Sequence, residues 1–407
     1  MAAQSKLKKI LFYVLFFLLI PLLFFGLTEI VLRVAGVNTE IVKDDNFQVG
    51  IPMWAMDEAN FAVARDVYRQ VLDNQLPASS AEWLQCFEES KYVHYRMKPG
   101  FSGMVTNTFN RAELEKGIKV YMEASSIGFR TKEVPKKKAP NVYRIFIMGD
   151  STAFGWGVNQ EERYSELLEK KLNEVSDGSR YEVYNFGIPG YSSYHGRRQF
   201  DHFVLKYSPD MVILSFGAND SRKVPADVKK VLRQSAFIEN LKDFLAGFKT
   251  YRYFRKIVFS IYNPFDKYRS GKQEEAEAEE FVTPWEFQQN LEHIIRKGKE
   301  NGVETVLLGL CCPSGYLAKM SAVAGREGAQ SMDGMYILLQ KLSCLQSYDC
   351  YEQLVRYYEE LYGRTLLENR RMLYVTSDTC HPNRLGHVIL AEALYERLFK
   401  QRIENAD

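Results

Sequence analysis

The sequence predicts an α/β three-layer sandwich, a five-stranded parallel sheet covered by helices on both faces, preceded by one membrane-spanning helix. Two observations predict it. From Tyr143 onward, short apolar runs of β type alternate with amphipathic helical stretches, and near the N-terminus an uncharged run, Ile10 to Leu27, follows three lysines. Near-continuous apolar strands separated by helices imply a parallel sheet buried on both sides.

The N-terminal run follows Lys6, Lys8 and Lys9 and reads ILFYVLFFLLIPLLFFGL. At about 1.5 Å rise per residue it spans roughly 27 Å, close to the hydrocarbon thickness of a bilayer. A cleaved signal peptide would carry a shorter apolar region ending in small residues. Here Thr28, Glu29 and Arg33 follow instead, so an uncleaved anchor is expected. The lysines precede the span, which keeps residues 1–9 in the cytoplasm and places the rest of the chain outside, in a periplasmic or extracellular space. Pro21 within the run is compatible with insertion.

Residues 28–140 carry scattered aromatics without a sustained period, including SSIGFR at Ser125–Arg130, and close on the basic run TKEVPKKKAPN. They are expected to form an extension or a small appended subdomain, with a boundary near Lys138. The main domain is expected over residues 141–400, followed by a short tail at 401–407. Its strands are expected at Tyr143–Met148, Tyr181–Phe186, Met211–Phe216, Val303–Leu310 and Met372–Thr376. Helices are expected at Arg163–Val175, with Leu167, Leu168 and Leu172 on one face, and at Pro284–Asn301, with Phe287, Leu291, Ile294 and Ile295. An insertion over residues 223–283 separates the third and fourth strands. Its acidic patch KQEEAEAEE reads as a solvated loop or helix end. Its aromatic-basic text FKTYRYFRKIVFSIYNPF reads first as a helix with a buried aromatic stripe, and otherwise as a lid or a surface lying on the membrane.

Composition excludes some functions. Lys plus Arg total 53 and Asp plus Glu 51, a net charge of +2, so there is no electrostatic footprint for nucleic acid. The six cysteines form no CxxC pair, which argues against a zinc site of common spacing. No metal or organic cofactor is required by the chemistry that follows.

Each strand but the fourth is followed by a small polar or glycine-rich group: Gly149-Asp150-Ser151-Thr152, Asn185-Phe186-Gly187-Ile188-Pro189-Gly190, Gly217-Ala218-Asn219-Asp220 and Asp378-Thr379-Cys380-His381-Pro382-Asn383. Ligands bind outside the carboxyl ends of the strands of an open parallel sheet, so these groups are expected to converge. Ester cleavage needs a hydroxyl nucleophile, a base, a group that orients the base, and donors for the developing oxyanion. Ser151 fits the nucleophile, in a turn before the helix near Arg163 where its hydroxyl stands free. His381 fits the base and Asp378, three residues earlier, the orienting carboxylate. The backbone N–H of Gly190, the side-chain amide of Asn219 and the backbone N–H of Ser151 fit the oxyanion hole. Gly-x-Ser-x-Gly is absent, because Ala153 stands where the last glycine would be, and this argues against an α/β-hydrolase proper. Among the other histidines, His195 reads as a loop or cap residue and His387 as structural, while His94, His202 and His293 show no partner pattern.

These four groups resemble the four sequence blocks of the SGNH/GDSL hydrolase family. The family's namesake residues map in order onto Ser151, Gly190, Asn219 and His381, with Asp378 in its Asp-x-x-His position, and the likeness covers about Tyr143 to Phe399. The resemblance implies a flavodoxin-like sandwich and a serine esterase acting on O-acyl groups of glycans or lipid esters. It equally admits an acyltransferase with the same triad, and a catalytically silent scaffold of an envelope assembly. The family's strand order, 2-1-3-4-5, would put Cys311 or Cys312 within reach of Cys380, with Cys344–Cys350 as the second pair. The alternative is six small buried residues.

Overall fold

The structure, a computed structural model, describes residues 12–13, 15–37, 39, 86–90, 92–106, 116–176, 178–225, 229, 238, 241, 244–261, 278–363, 365, 373–375 and 380–405. The chain divides into two compact units. One comprises Met1–Asp44 and Asp227–Gln273, the other Asp45–Ala226 and Glu274–Asp407.

The first unit contains helix α1, Leu15–Val34, which is long and apolar enough to cross a membrane, a property that a signal sequence shares. Its other described helix lies in the insertion and is introduced below as α5.

The second unit begins with two antiparallel pairs, β1 (Phe87–Ser90) with β2 (His94–Met97), and β3 (Ser102–Thr106) with β4 (Lys119–Glu123). Then come β5 (Val142–Gly149), the short helix α2 (Ser151–Phe154), α3 (Tyr164–Val175), β6 (Arg180–Asn185), α4 (Ser193–His202) and β7 (Met211–Ser215). Strand β8 (Lys223–Pro225) opens the insertion and β9 (Ala278–Glu280) closes it, paired antiparallel, with α5 (Lys249–Ile261) between them in sequence. Helix α6 (Pro284–Glu300), β10 (Glu304–Gly309), α7 (Ser314–Glu327), β11 (Gln330–Asp333), three further helices and α8 (Arg384–Leu394) follow, and a π-helical turn (Tyr395–Phe399) and a short helix (Lys400–Glu404) come last.

Strands β6, β5, β7, β10 and β11 form one parallel sheet in that spatial order. Side chains alternate faces along each strand. Ile145 and Ile147 of β5, with Val183, Ile213, Val306 and Leu308, join a core with Tyr164, Leu168 and Leu172 of α3 and Leu385, Ile389, Leu390 and Leu394 of α8. The alternate residues of β5, Phe146 and Met148, face the other side, where α4 and α6 pack. The expected three layers are present.

Four strands and both helices fall where the sequence places them, within a residue or two at each end. The fifth does not. Met372 and Thr376 lie outside the described residues, and between them Tyr374 makes only an isolated antiparallel bridge to Pro382. The fifth strand of the sheet is β11. It is a four-residue polar edge strand, QSMD, in which only Met332 is buried, so it lacks the apolar run by which a strand is read. The insertion also departs from expectation. Part of its acidic patch is strand β9, and helix α5 leaves Phe254 exposed, so its aromatic stripe is not buried.

The expected cysteine pairs are both formed, Cys311–Cys380 and Cys344–Cys350. The first arises without the strand that suggested it: Leu373–Val375 and Cys380–Asn383 are held together by the Tyr374–Pro382 bridge and two backbone hydrogen bonds, and the disulfide ties Cys380 to Cys311 just after β10. Its closed loop, with a sequence separation of 69 against 6 for the second, restricts the unfolded chain more. Opening it by Cys380→Ser should lower the unfolding free energy by about 2–4 kcal/mol. Cys350→Ser should cost clearly less in the same urea titration, and equal losses would contradict this account.

Candidate active site

The carboxyl ends of β5, β6 and β7 lie side by side, since Ile147 pairs with Asn185 and Gly149 with Ser215. Gly149 is required at this crossing. A Cβ there would meet the Ser215 carbonyl oxygen at 2.6 Å and the Ala153 Cβ at 2.7 Å. The chain then turns sharply into α2, whose N-cap is Asp150. The Asp150 carboxylate accepts from the Thr152 backbone N–H at 2.8 Å and from its hydroxyl at 2.7 Å. Burial raises the Asp150 pKa, with the Thr152 bonds and His381 pulling it down.

Ser151 is therefore the first residue of a four-residue helix of its own rather than part of a turn before α3. Its backbone N–H belongs to the first turn, which has no intrahelical acceptor to offer. Its hydroxyl does not stand free: it is 2.7 Å from His381 Nε2, and the two residues are 3% and 1% exposed. His381 is held by its own backbone, with Val375 N–H donating to its carbonyl at 2.8 Å and Asn383 N–H donating to the Leu373 carbonyl at 2.9 Å. Asn383 in turn caps α8 through Gly386 N–H. Asp378 lies outside the described residues.

Gly190 adopts φ 80°, a left-handed conformation that favours glycine. Its loop is pinned from the β1–β2 hairpin. The Tyr95 hydroxyl donates to the Pro189 carbonyl at 2.5 Å, and the Tyr191 hydroxyl donates to the Val93 carbonyl at 3.2 Å and to that of Tyr95. Asn219 is buried, and its amide nitrogen donates to the Tyr191 carbonyl at 3.1 Å and, over a long 3.4 Å, to Asp150 Oδ2. The structure thus ties Ser151 directly to His381 and joins Asn219 to the Ser151 and Gly190 loops.

Several supporting residues carry no sequence signal that single-chain reasoning could read. Arg130, fully buried, donates to the carbonyls of Phe154, Gly155, Tyr121 and Val158 and to Gln160. It fixes the turn that leaves α2, and burial lowers its pKa. Asn185 bridges the Ala153 carbonyl and the Ser165 hydroxyl. His195 caps α4 as expected and pairs with His94 at 3.1 Å, while His293 meets Asp201 at 3.1 Å and His202 stacks on Tyr92, so the three histidines without a partner pattern have partners. His387 is structural. Its Nδ1 accepts from Tyr164 N–H, and burial together with Arg163 and Arg130 pushes its pKa down to about 3.

Asp220, beside Asn219, is fully buried and accepts from the backbone N–H and hydroxyl of Ser193, whose oxygen also accepts from the Asn290 amide. Burial raises its pKa to about 7, against the pull of the Ser193 bonds. A carboxyl whose folded pKa is raised contributes stability that is complete below its unfolded pKa and lost as pH rises through the folded value. Wild type should therefore lose stability relative to Asp220→Asn between about pH 4 and 7, by up to about 1.4 kcal/mol per pH unit. Denaturant titrations across that range check it, and a constant difference would contradict it.

Comparison with known proteins gives the family of the chain. The GDSL-like lipase/acylhydrolase family matches residues 147–389, more than half of the chain and inclusive of Ser151, Gly190, Asn219 and His381. The esterase TesA of Pseudomonas aeruginosa is 28% identical over 108 residues, covering 25% of this chain and 53% of that enzyme, so the chain spans about half the length of this curated relative. Among solved structures, the psychrotrophic esterase EstA of Pseudoalteromonas sp. is similar over 64% of this chain and 98% of its own, at 16% identity and a TM-score of 0.36. A catalytic mutant of Axe2, an acetylxylan esterase from Geobacillus stearothermophilus, is similar over 65% and 97%, at 16% identity and a TM-score of 0.37. With the family's match running from the end of β5 into α8, the chain belongs to the GDSL-like lipase/acylhydrolase family.

Proposed function

We propose that the protein is a membrane-anchored serine esterase that cleaves O-acyl esters outside the cytoplasm. The observation that carries this reading is the buried 2.7 Å contact between Ser151 Oγ and His381 Nε2 at the carboxyl edge of the sheet. In the proposed mechanism His381 Nε2 takes the hydroxyl proton as Ser151 Oγ attacks the acyl carbonyl. Asp378 holds the imidazole by its other nitrogen. The N–H groups of Ser151 and Gly190 and the amide of Asn219 hold the oxyanion, with the long Asn219 bond to Asp150 as the contact that yields. The protonated His381 then gives its proton to the departing alcohol. Water, activated by the same imidazole, releases the acid and restores Ser151.

The acylated alcohol is proposed to be a glycan or lipid hydroxyl, reached from a domain of residues 141–400 that carries the insertion at 223–283, with the 28–140 extension as an appended subdomain from which Tyr95 and Arg130 support the site. Helix α1 is proposed to hold this domain at the membrane, with the lysines at residues 6, 8 and 9 on the cytoplasmic side. The two disulfides support an oxidising compartment for the remainder.

Ser151→Ala should abolish ester hydrolysis and labelling by a fluorophosphonate probe while the circular dichroism spectrum stays unchanged; undiminished labelling would refute the assignment. Asn219→Ala should lower turnover by about 10²–10³, and a loss below about tenfold would make it a loop residue only. Externally added protease should digest the catalytic domain in cells whose inner membrane is intact. Full protection there would reverse the proposed orientation.

A further inference from the structure

Helix α1 carries one acidic residue, Glu29, and the fold uses it far from its own segment. Its carboxylate accepts from the backbone N–H groups of Lys249 at 3.1 Å and Thr250 at 2.8 Å, and from the Thr250 hydroxyl at 2.9 Å, while Arg33 Nε donates to it at 2.6 Å. The first N–H groups of a helix lack intrahelical partners, and a carboxylate there also meets the positive end of the helix dipole. Helix α5 of the insertion thus starts on α1. Packing reinforces the joint: Phe25 meets Phe248 edge-on at 5.5 Å, and Lys249 Nζ donates to the carbonyls of Leu32 at 3.4 Å and Val37 at 3.2 Å. These contacts run from Phe25, in the last turn of the uncharged run Ile10 to Leu27, to Val37 beyond it, the level at which a spanning helix leaves the hydrocarbon.

Beyond the joint, α5 presents Phe254, Ile257, Val258 and Ile261 at i, i+3, i+4 and i+7, one face of a helix. They are 45%, 37%, 58% and 81% exposed. At 3.6 residues per turn, Lys256 falls opposite the stripe and Arg255 to its side, all of the basic residues half-buried and Arg252 with its Nε buried, and Tyr251 and Tyr253 flank the apolar stripe on either side. An exposed apolar stripe, bordering tyrosines and a basic reverse face form the pattern of a helix lying in the plane of a membrane interface. The face of α1 turned away from the joint is likewise apolar and exposed, at Leu27, Ile30, Val31 and Val34.

We propose that α5 is a membrane-interface helix, docked on the anchor through Glu29 and resting with its apolar stripe at the acyl-chain boundary of the bilayer that α1 crosses. This rests on the reading of α1 as a retained anchor. It also gives that anchor a structural task, since removal of α1 would strip the N-terminus of α5 of its cap. The occupant is an anionic bilayer: the basic face suits its headgroups, and the stripe is continuous with the membrane exit of the helix to which α5 is joined.

The full chain, reconstituted in vesicles of phosphatidylethanolamine and phosphatidylglycerol doped with a diazirine-bearing phospholipid, tests this by photolabelling and peptide mass spectrometry. Label is expected in both α1 and the Phe254–Ile261 segment. Val258→Glu combined with Ile261→Glu should lose the label in α5 and keep it in α1. Label in α1 without label in wild-type α5 would overturn the proposal while sparing the anchor. No label in either would overturn both, and disulfide cross-linking between two copies of Val258→Cys in place of lipid label would assign the stripe to a second copy instead.

Discussion

The site depends on one contact made across 230 residues of sequence separation, between the Ser151 hydroxyl and the imidazole of His381. The two partners are delivered by different means. Ser151 comes from β5, an interior strand of the sheet, where pairing with β6 and β7 on either side fixes the strand and Gly149 permits the tight exit. His381 comes from a segment whose described residues, 373–375 and 380–383, form no strand of the sheet. Its position rests on the bridge between Tyr374 and Pro382, on two backbone hydrogen bonds, and on the disulfide that ties neighbouring Cys380 to the end of β10. A misplacement of about 1 Å at such a contact is enough to impair catalysis, which explains why a short irregular loop carries so many constraints.

Burying so much polar structure around the hydroxyl is costly unless each group finds a partner. The solution here is to spend side chains on backbone carbonyls. Arg130 gathers four of them around the turn after α2, and Tyr95 and Tyr191 lock the Gly190 loop to the β1–β2 hairpin. The residues ahead of β5 are in this way part of the architecture that holds the site, within the same compact unit as the sheet. Their aromatic content follows from the same need, since a tyrosine ring fills the core while its hydroxyl satisfies a loop carbonyl.

The other unit solves a different problem. A carboxylate near the end of an otherwise apolar helix is expensive unless it is paired and hydrogen-bonded. Glu29 is paired with Arg33 and bonded to three donors of α5, so one residue both satisfies its own charge and organises the start of a second helix.

What the sequence by itself determined is local or periodic. The apolar runs of β5, β6, β7 and β10, the helical faces of α3 and α6, the spanning length of α1, and the residue types of the blocks around Ser151, Gly190, Asn219 and His381 are all written over a few adjacent positions, where period and turn chemistry act. The role of Asp378 rests on that kind of reading alone. Tertiary structure decided what depends on distant partners. Gln330–Asp333 became the fifth strand because an edge position asks for one buried residue rather than an apolar run. Tyr95 became a support of the Gly190 loop, His94 the partner of His195 in the first turn of α4, and Arg130 the hub of the turn after α2, through contacts 24 to 101 residues away that leave no local pattern. Glu29 likewise reads as the polar end of an anchor until a helix 220 residues on is folded against it, because a hydrogen bond selects its partner by position in space and not by spacing along the chain.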